Sequence, residues 1–111
     1  MVVIILPDGR DWCKANWAFR QLVQDISRQF EHDDELCRTL DLAQAYGTLD
    51  LKGMPVELAR RVSEAMLAVI GATQTGEIEA WRPEDQGGRT MYLQALAELA
   101  DLLRESPQQI N

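Results

Sequence analysis

From Asp11 onward the apolar residues of this chain recur at three-, four- and seven-residue intervals, and that spacing favours amphipathic helices packed on a shared core. Trp12, Phe19, Leu22, Val23, Ile26 and Phe30 mark a first helix over 11–31, with Asn16 able to cap a shorter version starting at Trp17. Leu36, Cys37, Leu40 and Ala43 mark a second over 33–46, stopped at Gly47, a residue suited to a left-handed C-terminal cap. Leu58, Ala59, Val62, Ala65, Met66, Val69 and Ile70 mark a third over 55–72. Pro55 lies in its first turn, and Arg60, Arg61 and Glu64 lie outside. Tyr92, Ala95, Leu96, Leu99, Leu102 and Leu103 mark a fourth over 90–105.

Only short stretches escape this period. Val2–Leu6 is β-branched and apolar, and the turn sequence Pro7-Asp8-Gly9 closes it, so 2–6 is expected to be a strand. Glu77–Trp81 alternates acidic and apolar residues, which makes 77–81 a second short strand and the candidate partner of 2–6. Residues 46–55 form a connection that is extended in part, 82–88 a loop, and 106–111 a polar tail. The expected fold is mainly α: a compact bundle of about four helices in a single domain spanning 1–111. A lone two-stranded ribbon is marginal in water and would need a helix over it. Left unpaired, strand 2–6 would offer a free edge for a homodimer or a larger assembly.

Charge narrows the function more than the fold does. The 111-residue chain carries a net charge of −7 at 46% hydrophobic content, so it can build a core and has an acidic surface. Residues 31–50 hold six carboxylates against Arg38 alone, and 77–85 hold four against Arg82. Such a field repels phosphate backbones and anionic lipid, which excludes nucleic acid and membrane surfaces as expected partners and favours a basic protein. No run approaches the roughly 20 apolar residues of a transmembrane helix, and Met1–Leu6 lacks the basic flank of a signal peptide. With two cysteines, Cys13 and Cys37, and no paired CxxC motif, a cytoplasmic location with reduced thiols is expected.

The densest polar cluster is Glu31-His32-Asp33-Asp34-Glu35-Leu36-Cys37. Zinc takes three or four converging ligands, but His32 is the lone histidine and lies five residues from Cys37, a poor spacing for one helix face. A calcium loop needs a glycine at its sharp turn, and none is present here. No metal or cofactor is therefore expected. Nor is a catalytic set: Ser27 and Ser63 fall inside expected helices, there is no GxSxG elbow, and the single imidazole has no evident nucleophile. Asp33 or Asp34 and Glu35 fit the first turn of a helix, where carboxylates accept free amides and meet the positive end of the dipole. That accounts for two of the four acids, and the rest are solvated or face a partner.

In size and in its clustered acids, Glu31–Glu35 and Glu77–Asp85, the chain resembles small acidic bacterial immunity proteins, which neutralise a toxin by plugging its active site. The resemblance is one of bulk and charge; no motif carries it, and it assigns no residue a role. It implies a non-catalytic binding protein for a basic partner such as a toxin domain. The candidate contact residues are Glu31, Asp33, Asp34, Glu35, Tyr46, Glu77, Glu79, Trp81, Glu84 and Asp85, the two aromatics as interface anchors.

Overall fold

The computed structural model describes residues 1–105, and the expected tail 106–111 lies outside them. The chain begins with β1 (Val2–Ile5) and turns at Gly9, whose φ of +92° suits a residue without a Cβ. The turn is closed by Leu6 N–H to Arg10 O and fixed by Asp8, whose Oδ1 accepts the Arg10 amide at 3.0 Å. The chain returns as β2 (Asp11–Lys14), antiparallel to β1. Helices α1 (Asn16–Gln29) and α2 (Asp34–Tyr46) follow. Strand β3 (Thr48–Asp50) then lies parallel to β1 on its other side, giving the order β2-β1-β3. Two longer helices, α3 (Val56–Gln74) and α4 (Gln86–Glu105), are the last elements of the described residues.

The four helices of the described residues therefore pack on one face of a small mixed sheet. Register explains why that face is buried: Ile4 is paired with Trp12 on one side and Leu49 on the other, and all three point into the core. Phe19, Leu22 and Ile26 of α1, Leu36 and Leu40 of α2, Met66 and Ile70 of α3, and Leu96 and Leu99 of α4 meet them there. The opposite face holds Val3 and Ile5, half-buried, among exposed Asp11, Cys13, Thr48 and Asp50.

Four expectations change. The first helix does not start at residue 11, because the Pro7–Arg10 turn sends 11–14 back along β1. Trp12 is buried by the two-residue alternation of a strand and only coincidentally fits the helical spacing to Phe19. Helix α1 begins at Asn16, with Ala15 as its uncapped N-cap. Residues 77–81 are not a strand: Gly76 (φ +87°) and Trp81 (φ +72°) bend the chain, and Ile78 N–H bonds back to Ala72 O. The alternation there reflects Ile78 and Ala80 turned inward within a loop. The partners of strand 2–6 are β2 and β3, so it is the central strand and has no free edge through which to dimerise. Finally, residues 86–88, expected in a loop, open α4, because Asp85 supplies the cap that the glycines lack: its Oδ1 accepts the Gly88 amide at 2.9 Å.

Candidate functional site

The acidic cluster lies at the corner between α1 and α2, and half of it is engaged with the protein's own groups. Asp33 is the N-cap of α2, with Oδ1 accepting the Leu36 amide at 3.2 Å. The Arg61 guanidinium, reaching across from α3, spans Asp33 and Glu35. Those hydrogen bonds, first from Arg61 and then from the Leu36 amide, hold the Asp33 carboxyl below its usual range and raise Arg61 in turn. The start of α2 is thus tied to α3 at one corner. Glu31, Asp34 and His32 remain outside it; the Asp34 side chain makes no ion pair or hydrogen bond among the described residues, and His32, 97% exposed, reaches only Glu31 at 3.7 Å. The Cys37 Sγ–H donates to Phe30 O at 3.5 Å. Among the described residues no group of three or more His, Cys, Asp or Glu side chains is placed to share a metal ion.

The second acidic segment divides in the same way. Glu79 pairs with Arg89 of α4 at 3.1 Å. Asp85 is committed as the α4 cap and also accepts the Trp81 indole N–H on Oδ2 at 3.0 Å; the Gly88 amide and then the indole hold its carboxyl below the usual range. Glu77 and Glu84 are exposed and unpaired among the described residues.

These two segments, more than forty residues apart in sequence, approach one another. Phe30, next to Glu31, and Ile78, between Glu77 and Glu79, line one small pocket with Ala68, Val69 and Ala72 of α3. Glu64 is exposed one helical turn from both Arg61 and Ala68, and adds a carboxylate to the same side of α3. The sequence shows it as an outward residue of the third helix, but not as a neighbour of the clusters. Glu31 and Glu77 are thus exposed next in sequence to Phe30 and Ile78, the half-buried apolar floor of that pocket, while Glu64 is exposed on α3 and Asp34 at the start of α2.

Neither candidate aromatic belongs to it. Tyr46 is at the far end of α2, about 18 Å from Asp34 at 1.5 Å per residue. Trp81 is half-buried, its ring 4.7 Å from Trp17 and covered by the Arg82 guanidinium at 4.9 Å. It is one of only four described residues with positive φ, and the only one that is not glycine. Such a backbone costs on the order of 1–3 kcal/mol, which the stack and the Asp85 bond must offset. Trp81 is therefore a clamp between α1 and α4, not an exposed anchor.

Gly88 makes that clamp possible, since a Cβ there would stand 2.8 Å from the Trp81 ring and 2.8 Å from Asp85 Cγ. Alanine at 88 gains about 1 kcal/mol of helix propensity. It loses about 1–3 kcal/mol to overpacking. Gly88→Ala is expected to lower the thermal midpoint by several degrees; a higher midpoint would show that Trp81 yields without cost.

Among the described residues no helix is long and apolar enough to cross a membrane. No protein-family model, no curated protein and no solved structure matches this chain.

Proposed function

We propose that this protein is a non-catalytic binding domain for a basic protein, acting as an immunity protein acts when it occludes the cationic cleft of a toxin. The observation that supports this reading is that Phe30 and Ile78, one from beside each acidic segment, line a single apolar pocket, with their sequence neighbours Glu31 and Glu77 exposed and Asp34 exposed at the start of α2. Burying an apolar floor gives affinity, while an uncompensated acidic rim steers a cationic partner and selects against anionic ones. The carboxylates bound to Arg61 and Arg89 have a different part: they hold the helices that shape the rim, and their charge is already matched.

The test replaces Glu31, Asp34 and Glu77 together with lysine. Among the described residues these side chains hold no capping or interhelical bond, so the fold, followed by circular dichroism, is expected to persist. The wild-type protein, tagged and passed over lysate of its source organism, is expected to retain one basic protein at low salt and release it at high salt. The triple variant is expected to bind that protein about 10–100-fold more weakly, mainly through a slower association rate. A partner held equally by both proteins, or indifferent to salt, would rule the acidic end out.

A further inference from the structure

We propose that the outer edge of β3 is a docking site for an extended, basic segment of a partner protein, which joins the sheet as a fourth strand. This surface is separate from the acidic end and does not depend on it. The ladder between β1 and β3 is bracketed by Val3 N–H to Gly47 O at 3.0 Å and Leu51 N–H to Ile5 O at 2.9 Å. In a parallel ladder alternate residues turn both their main-chain groups to the same neighbour, so Gly47, Leu49 and Leu51 are spent on β1. Thr48 and Asp50 then direct their N–H and C=O groups outward, at the two-residue repeat of a strand, where no described residue meets them. Such an edge fits an extended chain better than a helix.

A groove of ≈ 410 Å³ runs beside that edge, lined by Leu42, Ala43 and Tyr46 of α2, by β3 itself, and by Met54. Leu42 is 52% exposed and Tyr46 80%, among the most exposed large apolar side chains of the described residues. A strand added to β3 would set every second side chain into this groove. The other outer strand is differently placed: Arg10, Trp12 and Lys14 are engaged by Glu105, the Ala95 carbonyl and Glu98 of α4.

Charge selects the occupant. Asp50 is the one charged residue lining the groove; its Oδ1 accepts the Gly53 amide, and no cation pairs with it among the described residues. A second copy of this chain would bring a net charge of −7 and a second Asp50 to the same edge, whereas a basic strand places a cation opposite it. An alternating basic and apolar segment matches both the carboxylate and the groove.

The probe is a labelled ten-residue peptide of alternating arginine and valine, tested by fluorescence anisotropy and by amide NMR of the protein. Its controls are the same peptide with alternate amides N-methylated, which keeps the charge but removes ladder donors, and an alternating glutamate–valine peptide. The basic peptide is expected to bind, to slow exchange of the Thr48 and Asp50 amides, and to lose about tenfold or more with Tyr46→Ala or Asp50→Asn. Glu31, Asp34 and Glu77 changed to lysine are expected to leave the Thr48 and Asp50 responses in place, so failure at either surface is read separately. The proposal is overturned by absence of binding, by equal binding of the N-methylated peptide, or by indifference to Tyr46→Ala. A mass in solution twice that of the chain, reduced to one copy by Tyr46→Ala, would also overturn it by making a second copy the occupant.

Discussion

Trp12→Ala is expected to remove about 3–5 kcal/mol of stability, most or all of what a domain of this size possesses. The indole is 2% exposed, and it joins the two halves of the chain: β2 lies at the start of the sheet, and its Nε1–H donates to Ala95 O of α4 at 3.0 Å across 83 residues. Truncation removes the ring from a position beside Ile4 and leaves a cavity under the sheet that alanine cannot fill. Trp12→Phe separates the two contributions. It keeps a six-membered aromatic ring in the core but loses the donor and the rest of the indole, so its cost is expected at about 1–3 kcal/mol. Ala95 O belongs to α4 and also has a helical amide available, which is why the lost bond is the smaller part. Urea unfolding of both variants checks this. If phenylalanine cost as much as alanine, the hydrogen bond rather than the ring would be what fastens α4 to the sheet.

Trp12 also shows where sequence reading succeeds and where it stops. The buried stripes of α2, α3 and α4 are legible because a 3.6-residue period sustained over three or more turns suits a helix and little else, as with Leu58 to Ile70. The Trp12–Phe19 spacing fits that period too, but two residues do not make a pattern, and Pro7-Asp8-Gly9 is the stronger signal: a hairpin turn requires a second strand. Strand β3 is three residues long, and its burial pattern of one residue in and two out carries almost no signal on its own. At the site, the acids are plain in the sequence but their partners are not. Arg61 lies 28 residues from Asp33 and Arg89 ten from Glu79, and nothing local distinguishes an arginine that spans helices from one in solvent. The same holds for the approach of Phe30 to Ile78, which depends on how α1 and α3 cross. Tyr46 stands out in the sequence as an aromatic at the end of a helix; its groove becomes visible only once β3 is placed beside it.

Asp25→Asn is expected to stabilise the protein by about 1–2 kcal/mol at neutral pH, a gain from removing a charge. Asp25 is 3% exposed on α1. Its Oδ1 accepts Gln21 Nε2 at 3.2 Å, and Arg28 stands 3.6 Å away, but Oδ2 is buried without a hydrogen-bond partner among the described residues. Tyr92 of α4 is in the same position, its hydroxyl buried and unpartnered, and the two groups sense each other: burial first and the Asp25 charge second push the phenol far above its usual range. Burial likewise raises the Asp25 carboxyl, against smaller opposing effects from Gln21 and Arg28. The folded protein therefore holds this proton more tightly than the unfolded chain does, so the group's contribution to stability is greatest below the ordinary carboxylate pKa and falls as pH rises through the raised one. Asparagine keeps the shape and the acceptor for Gln21 and carries no charge to be held out of water. Thermal midpoints of the two proteins are expected to differ most at pH 7–8, by about 4–8 °C per kcal/mol, and to converge as the pH falls to about 4. Below that both decline together, because Asp33, held below the usual range by Arg61, and Asp85, held there by the Gly88 amide and the Trp81 indole, lose their bonds on protonation in either protein. A variant less stable than wild type at neutral pH would show instead that the ionised Asp25 carboxylate is satisfied in the folded state, with the Arg28 pair outweighing its burial.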